Sequence, residues 1–398
     1  MIATRVIRRI GDVDAAAWDG LDHGGSPFLR HGFLSALEET GSIGRRSGWE
    51  PRYALAERAG PAEQGPAQGK GALVGAAAAF VKDHSFGEFI FDWEWAHASQ
   101  RAGIDYYPKL VVAAPLTPAT GPRLLRSPAL PAADRRAVGV ALVAEVERVA
   151  EEEGCSSVHV LFCTEEERDL LADLGLAARA SFQYHWHNRG YRDFDDFLGR
   201  MSSRRRKQLR KERSRAREAV DAIELVPGPA LSRNDLRDLD RFYRVNVAAH
   251  GGSAYLERGF FPALVRCMPD AVLMARAMRG GKAIAGALFL ESEQALYGRY
   301  WGALEDVPLL HFEVTCYLGI ERCIERGTPL YEAGAQGQHK LLRGFEPSPT
   351  HSAHRMFHPA LDRAVRQFLR EEAPAVARHM ERLAGVGPFK EEGEPATD

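Results

Sequence analysis

The densest group of side chains suited to proton transfer and anion binding lies in one segment, YEAGAQGQHKLLRGF, at residues 331–345. Glu332 ends an apolar run typical of a strand, and a carboxylate at a strand end is well placed to accept a proton. An amide, an imidazole and two cations follow in a loop broken by glycines: Gln336, His339, Lys340 and Arg343. Imidazole carries protons near neutral pH, and guanidinium binds phosphate or carboxylate with two hydrogen bonds.

We therefore expect Glu332 and His339 to be catalytic, and Gln336, Lys340 and Arg343 to bind substrate. The plainer interpretation of the same segment is a solvated polar hairpin loop. Sequence alone leaves both open.

A second candidate pair, His311 and Glu313, opens a helix predicted over residues 311–326. The N-terminus of a helix attracts anions, so His311 would bind substrate there and Glu313 is an alternative proton acceptor. Glu313 would otherwise only complement the helix dipole.

Acids and aromatics alternate in the first half of the chain. Asp92 and Trp93 follow a predicted strand, and Tyr107 and Lys109 lead into the next one. Such a mixture suits a cleft that binds an amine or a sugar-bearing peptide, and we predict these four residues to bind the acceptor. The alternative is that the aromatic rings cap the edge of a core.

Residues 200–217, RMSSRRRKQLRKERSRAR, contain eight arginines and two lysines against one glutamate. The net charge of the whole chain is only -2, so the positive charge is concentrated in this helix. A local basic patch on an otherwise acidic protein predicts a specific anion site. The residues predicted to contact phosphate are Arg204, Arg205, Lys207, Arg210 and Lys211. A solvated helix face is the alternative, and a single basic helix does not indicate a DNA-binding protein.

Composition narrows the protein class. Hydrophobic residues make up 45% and charged residues 27% of the 398 residues, which excludes collagen-like, coiled-coil and disordered proteins. The longest near-apolar run, residues 72–81, is shorter than the roughly 20 residues a membrane helix needs, and the N-terminus has no secretory pattern. Five scattered cysteines without a CxxC pair indicate reduced thiols in a cytoplasmic protein with no metal site.

The order of elements repeats along the chain. The segment GKGALVGAAAAF at residues 69–80 resembles GGKAIAGALFL at residues 280–290. Each precedes an aromatic strand, a long helix that ends at glycine, and an apolar strand; in the first copy we also predict a strand at EFIFD, residues 88–92. This order predicts a duplicated α/β fold with mixed sheets.

The repeat predicts a first domain over residues 1–190 and a second over 191–384. The basic helix at 200–217 belongs to the second domain. We expect the tail at residues 385–398 to be disordered.

Four segments resemble the FemABX-type aminoacyl transferases, a tandem branch of the GNAT (N-acetyltransferase) fold. They are a basic helix with its following strand, a crossover helix with its strand, a closing strand, and an aromatic-rich segment of the first half that is similar to a FemAB-like subfamily. In that order they occupy residues 204–226, 309–336, 341–357 and 86–125.

The resemblance implies two GNAT-like domains, each with a mixed, mostly antiparallel sheet flanked by helices. It also implies transfer of an acyl or aminoacyl group to an amine. In FemABX proteins the donor is aminoacyl-tRNA and the acceptor is a peptidoglycan precursor, whereas ordinary GNAT enzymes use acetyl-CoA. The GNAT pyrophosphate loop would fall at residues 117–125 and 303–313, and neither segment matches its glycine pattern.

The function expected from the resemblance is therefore FemAB-like acyl or aminoacyl transfer to an amine-bearing peptide or small molecule, with tRNA as a possible partner. One alternative is an acetyl-CoA-dependent N-acetyltransferase. The other is a GNAT-like pair without catalytic activity that only binds its ligand.

Overall fold

The computed structural model describes residues 2–58, 71–90, 92–334 and 337–389. These residues form thirteen strands: β1 (Ile2–Ile7), β2 (Glu50–Arg58), β3 (Ala72–Lys82), β4 (Lys109–Val112), β5 (Leu124–Arg126), β6 (Ser157–Cys163), β7 (Ala177–His187), β8 (Ala222–Pro227), β9 (Val272–Arg279), β10 (Lys282–Glu291), β11 (Ala295–Ala303), β12 (Leu330–Glu332) and β13 (Glu346–Met356).

The same residues form twelve α-helices: α1 (Ala15–Asp19), α2 (His31–Thr40), α3 (Trp93–Arg101), α4 (Ala132–Glu152), α5 (Glu165–Asp173), α6 (Phe194–Gly199), α7 (Ser203–Glu218), α8 (Arg233–Ala249), α9 (Phe260–Cys267), α10 (Leu310–Phe312), α11 (Leu318–Arg326) and α12 (Pro359–Ala384). A π-helical turn, Glu313–Tyr317, joins α10 to α11.

Contacts divide the chain into two compact units. Unit 1 contains residues 1–181, 255–260 and 350–376, and unit 2 contains residues 182–254, 261–349 and 377–398. The domain boundary near residue 190 stays a prediction. Most of the tail that we expect to be disordered lies outside the described residues.

The sheet of unit 1 is mostly antiparallel, with strand order β1-β2-β3-β4-β6-β13 and β5 beside β3. Among the strands that the structure describes in this sheet, only β4 and β6 run parallel, and the long helix α4 connects them. The spacing of Val138, Leu142 and Val146 places these side chains on one face of α4, and all three are buried. A parallel pair needs such a crossover helix, which explains why α4 lies here.

Unit 2 repeats this arrangement, with strand order β7-β12-β11-β10-β9-β8. Within its described strands the one parallel pair is β11 with β12, connected by the α10–α11 helix. The hairpin β9–β10 forms around Gly280 and Gly281, which both have positive φ, as a tight two-residue turn requires. Both units therefore have the same order of four antiparallel strands, a parallel partner and a closing antiparallel strand.

Gly302 shows how tightly β11 packs against α8. A Cβ atom at this position would lie 1.9 Å from the backbone oxygen of Phe242. The close approach of strand and helix therefore requires glycine.

One predicted strand is wrong. Residues 88–90 and Asp92 are not extended, and Phe89 has a φ of 61°. A left-handed residue cannot continue a pleated strand. The alternation of the sequence arises because Glu88 and Asp92 both turn into a buried charge network, described below, and helix α3 then begins at Trp93.

Candidate active site

The polar centre of unit 2 is built by strand register around Glu332. Glu332 is the last residue of β12, and it pairs with Tyr297 of β11 on one side and His185 of β7 on the other. Residues paired across neighbouring strands project from the same face of a sheet. Arg299 lies two residues beyond Tyr297 and shares that face.

The resulting contacts surround a carboxylate that is only 1% exposed. His185 Nε2 lies 3.9 Å from Glu332 Oε1, and Arg299 Nη2 lies 3.7 Å from Glu332 Oε2. Arg299 Nη1 also donates to the backbone oxygen of Glu332 at 3.2 Å. We call Gln183, His185, Arg299 and Glu332 the Glu332 cluster, because Gln183 Oε1 lies 3.4 Å from His185 Nε2.

Burial sets the protonation states around this cluster. It lowers the pKa of the His185 imidazole, although the charge of Glu332 partly opposes the shift. Burial also lowers the pKa of Lys340 to about 8. His185 is therefore neutral at physiological pH and can accept a proton.

The loop after Glu332 is held by its own cations. Lys340 Nζ donates to the backbone oxygens of Ala333 at 2.6 Å and Gly334 at 2.9 Å. Arg343 donates to Glu212 Oε2 at 2.8 Å and stacks on the ring of Phe312 at 3.5 Å. Gln336 lies outside the described residues, and the anion-binding roles of Lys340 and Arg343 stay predictions.

His339 belongs to an aromatic group with the helix start. Its ring lies 5.2 Å from that of Phe312 and 6.0 Å from that of His311. Within the described residues, the buried Nε2 atom of His339 has no hydrogen-bond partner. Burial lowers the pKa of both imidazoles, to about 4 for His311.

Glu313 is placed differently from Glu332. It is completely buried, and two arginines of the basic helix α7 hold its carboxylate: Arg213 at 3.0 Å and Arg217 at 2.7 Å. Both oxygens of this carboxylate already accept hydrogen bonds from guanidinium groups, which leaves less room for a substrate amine. Of the two predicted acceptors, Glu332 has the more suitable surroundings.

Six other cations of α7 divide into two sets. Arg210 pairs with Asp195 at 2.8 Å, and Arg205 donates to Gln208 at 2.9 Å. In the part of the chain that the structure describes, four exposed cations have no ion-pair partner: Arg204, Lys207, Lys211 and Arg215. Their spacing of three, four and four residues places them on one helix face, along roughly 16 Å. We call these four residues the basic stripe.

The candidate residues of unit 1 form a second, separate network. Lys109 donates to Asp92, to Glu88 Oε2 at 2.8 Å and to Ser85 Oγ at 2.8 Å. Tyr106 also donates to Asp92, at 2.6 Å. Because these three acceptors take all three ammonium protons, Lys109 is satisfied within the protein.

This network keeps buried charges in balance. Burial would raise the pKa of Asp92, but Lys109 lowers it to about 2. Burial raises the pKa of Glu88 to about 7 and lowers that of Lys82 to about 7. Lys82 lies over the ring of Trp49 at 3.7 Å.

The other two predicted acceptor-binding residues lie at the border of this network. Tyr107 is half-buried, and its hydroxyl contacts Ser85 Oγ at 2.8 Å. Trp93 is 37% exposed and packs edge-on against Phe86, which is 54% exposed. The acceptor-binding roles of Asp92, Trp93, Tyr107 and Lys109 stay predictions.

Three residues around Glu332 and Arg343 are not evident from the sequence. Arg299 and Glu212 lie in unremarkable strand and helix patterns, and only strand register and helix packing bring them to the site. His185 is one of two alternating histidines in FQYHWH, which marks the strand as polar on one face. That alternation is the one available signal, but it does not indicate which acid the imidazole faces.

Within the described residues, no group of three or more histidine, cysteine, aspartate or glutamate side chains is arranged to hold a metal ion. None of the helices in the described part is long and apolar enough to cross a membrane.

Comparison with known proteins identifies the family. A family model, FemAB-like, described as peptidoglycan biosynthesis/recognition, matches residues 9–391. The chain therefore belongs to the FemAB-like family, and this membership supports a transferase role. No curated protein gives a significant match.

Solved structures share the fold at low sequence identity. The crystal structure of FemX matches with a TM-score of 0.52 and 9% identity, covering 91% of this chain and 100% of that one. A conserved protein of unknown function from Bacteroides thetaiotaomicron matches with a TM-score of 0.51 and 13% identity, covering 89% of this chain and 99% of that one. The predicted α/β fold, with mixed and mostly antiparallel sheets flanked by helices, is confirmed.

The buried network of unit 1 predicts a large effect of Lys109→Met on stability. The substitution leaves Asp92 buried without its cation and Glu88 with only Lys82, 3.8 Å away. This costs about 3–5 kcal/mol of the free energy of unfolding. The loss should be smaller at pH 5 than at pH 8. Without the cation, burial raises the pKa of both carboxyls above the unfolded values, so they take up protons on acidification. Urea unfolding at both pH values measures this.

Lys282→Met is the matched control, because Lys282 is an exposed lysine at the start of β10. It should change the free energy of unfolding by less than about 0.5 kcal/mol. Equal effects of the two substitutions, or a Lys109→Met loss that is independent of pH, would contradict the proposed charge balance.

Proposed function

We propose that this protein transfers an acyl or aminoacyl group to an amine of a cell-envelope precursor peptide, and that the Glu332 cluster accepts the proton that the amine must lose. The observation that carries the proposal is the pairing of buried Glu332 with the neutral imidazole of His185. FemAB-like membership supports the same chemistry. A cytoplasmic location would give the enzyme access to aminoacyl-tRNA.

The chemistry needs a proton acceptor because an alkyl ammonium has a pKa of about 10.4 and only the neutral amine is a nucleophile. In our proposal the amine approaches the end of β12, where the parallel pairing with β11 stops at Tyr297 and Glu332 while β11 continues to Ala303. His185 or Glu332 takes the proton. Arg299 acts as a positioning residue that holds the Glu332 carboxylate, with Nη2 lying 3.7 Å from Oε2.

The two places where a GNAT enzyme would bind a diphosphate support our proposal for the donor. In unit 1 the Glu167 carboxylate already accepts hydrogen bonds from the backbone N–H groups of Arg123 at 2.9 Å and Leu124 at 2.7 Å. An internal carboxylate therefore occupies the backbone donors that a phosphate would need. In unit 2 the corresponding loop contains Glu305 and Asp306, both exposed. Both places disfavour acetyl-CoA.

The basic stripe on α7 supports aminoacyl-tRNA as the donor. Successive cations of the stripe are about 4.5, 6 and 6 Å apart along the helix axis. A row of exposed cations of this length suits the phosphates of a nucleic-acid backbone. The remaining arginines of α7 that pair with Glu313 and Glu321 anchor the helix to unit 2. Helix α7 therefore has two kinds of cation: arginines that pair with acids of unit 2, and the exposed cations of the basic stripe.

Glu332→Gln should lower the rate of aminoacyl transfer by about 10²–10⁴-fold, because the amide cannot accept the proton. The assay uses unfractionated aminoacyl-tRNA labelled in the amino acid, together with a lysine-containing precursor pentapeptide. Transfer of label to the peptide gives the rate, and circular dichroism checks that the variant folds.

Glu291→Gln is the matched control in unit 2, because this half-buried carboxylate also binds two arginines, Arg322 and Arg326, each at 3.0 Å. It should keep the rate within about threefold. Glu313→Gln tests the other candidate acceptor. Loss of transfer in Glu313→Gln with activity retained in Glu332→Gln would overturn the assignment.

The double variant Lys207→Glu/Lys211→Glu should bind tRNA about tenfold more weakly, and the dependence of its affinity on salt should decrease by about one to two units of log–log slope. Arg237→Glu/Arg241→Glu is the control, since these exposed arginines have the same spacing on α8. Filter binding of unfractionated tRNA at several salt concentrations measures both.

A melting curve of the protein in millimolar acetyl-CoA tests the alternative donor. A ligand at a hundredfold excess over its Kd stabilises the folded state by about 2.7 kcal/mol, which a melting curve detects. We expect no shift. A rise in Tm with acetyl-CoA, together with unchanged tRNA binding by the Lys207→Glu/Lys211→Glu variant, would favour the N-acetyltransferase alternative.

A further inference from the structure

Glu212 is the one acid among residues 200–217, which otherwise supply the cations of helix α7. The cations of the basic stripe are exposed, whereas Glu212 is only 9% exposed. It lies between Leu209 and Ala216 on the buried face of the helix. Burying a carboxylate costs free energy unless hydrogen-bond donors surround it. The partners of Glu212 inside unit 2 therefore show what this acid does.

Three side chains donate hydrogen bonds to the Glu212 carboxylate. Gln208, one turn earlier on α7, donates to Oε1 at 3.0 Å. Tyr317, the last residue of the π-helical turn, donates its hydroxyl to Oε2 at 2.5 Å. Arg343 donates to the same oxygen at 2.8 Å. The carboxylate therefore joins α7 to the π-helical turn and to the loop that contains Arg343.

The guanidinium of Arg343 is held on its edge and on its face. Besides the bond to Glu212, its Nη1 atom donates to the backbone oxygen of His339 at 2.9 Å. Its Cζ atom lies 3.5 Å from the centroid of the Phe312 ring. A planar guanidinium with fixed partners on its edge and a ring against its face is restricted to one orientation. Arg343 therefore fastens the 3₁₀-helix Gln338–Arg343, of which it is the last residue.

The same 3₁₀-helix holds the backbone that follows the candidate proton acceptor. Lys340 binds the backbone oxygens of the two residues directly after Glu332. Residues three apart in a 3₁₀-helix lie one above the other, so Lys340 and Arg343 move together. Release of Arg343 from Glu212 would therefore also loosen the hold of Lys340 on this backbone.

We infer that Glu212 is a positioning residue of the Glu332 site: from helix α7 it holds Arg343, and thereby fixes residues 338–343 against the backbone that follows Glu332. The inference deepens the proposed transfer reaction, and its expected effect on the rate rests on that reaction. In this role Glu212 acts through Arg343 rather than on the amine. Helix α7 then supports the site of unit 2 in addition to carrying the basic stripe.

Glu212→Gln tests the link without any transfer assay. The amide keeps the shape of the side chain but removes the charge of the ion pair, and charge-assisted hydrogen bonds are the stronger ones. The backbone N–H groups of Gly344 and Phe345 donate to carbonyl oxygens of the 3₁₀-helix, so their exchange with solvent reports whether it stays closed. Hydrogen exchange followed by mass spectrometry should be about tenfold faster for residues 338–345 and unchanged for the β9–β10 hairpin.

The transfer assay provides the second readout. Glu212→Gln should lower kcat by about tenfold to a hundredfold, because a loosened loop no longer holds the site in one geometry. The KM for the peptide and the Kd for tRNA should stay within about threefold, since the basic stripe is intact. A merely structural role would lower the amount of folded protein and leave kcat per folded molecule unchanged.

Glu321→Gln is the matched control. The Glu321 carboxylate also joins α7 to another element of unit 2, through Arg213 at 2.8 Å and Arg217 at 3.1 Å, but it lies on α11. This variant should keep kcat and the exchange of residues 338–345 within about threefold of the wild type.

Tyr317→Phe carries the test if Glu212→Gln does not fold. It removes one of the donors that hold Glu212 Oε2, and it should speed the exchange of residues 338–345 by about threefold.

Unchanged exchange of residues 338–345 in the variant that folds, or equal effects of Glu212→Gln and Glu321→Gln, would overturn the inference. A fall in kcat with an equal loss of tRNA affinity would do so too. If the wild type transfers no aminoacyl group while Glu212→Gln still speeds the exchange, the proposed function fails and the link from Glu212 to the loop after Glu332 stands.

Discussion

The constraint on which the site depends is the burial of the Glu332 carboxylate at the point where two parallel strands part. An isolated buried carboxylate is strongly unfavourable, so its surroundings must supply positive charge and hydrogen-bond donors. Strand register supplies both, because β7 places His185 and β11 places Arg299 on the same face as Glu332. The loop that follows is then fixed by Lys340 on the backbone of Ala333 and Gly334.

The two units have the same strand order but different polar residues at the equivalent position of the sheet. In unit 1 the third residue of β6 is His159, and it pairs with His354 of β13 as Glu332 pairs with His185 in unit 2. The two imidazoles bind each other through their Nδ1 atoms at 2.8 Å, and serines close the chain at both ends. Burial lowers the pKa of His159 to about 3, so the pair stays neutral. Unit 1 therefore has two neutral imidazoles, His159 and His354, at the position where unit 2 has a carboxylate beside an imidazole, Glu332 and His185.

The sequence predicts most of the helices and strands because interactions between residues close in sequence determine them. The period of α4, the glycine turn between β9 and β10, and the capping box at Thr164 each determine an element by short-range chemistry. The same logic fails at EFIFD, because the alternation there reflects two acids directed at Lys109 from a turn. The alternation indicates which residues are polar. The backbone conformation is instead determined by the buried cation Lys109, which lies elsewhere in the chain.

The candidate site is predictable only in part, for a similar reason. Glu332, His339, Lys340 and Arg343 stand out because they cluster within twelve residues of a glycine-broken segment. Their partners Arg299, His185 and Glu212 come from distant strands and helices, and pairing register is not written in local sequence.

The most direct test of the account is the pH dependence of kcat/KM for aminoacyl transfer in the wild type and in the double variant His185→Gln/Glu332→Gln. If the Glu332 cluster accepts the proton, the wild-type rate should level off at neutral pH, and the rate of the variant should keep rising toward the pKa of the free amine, about 10.4. Identical profiles for the two proteins would show that the proton leaves by another route and would contradict the central claim.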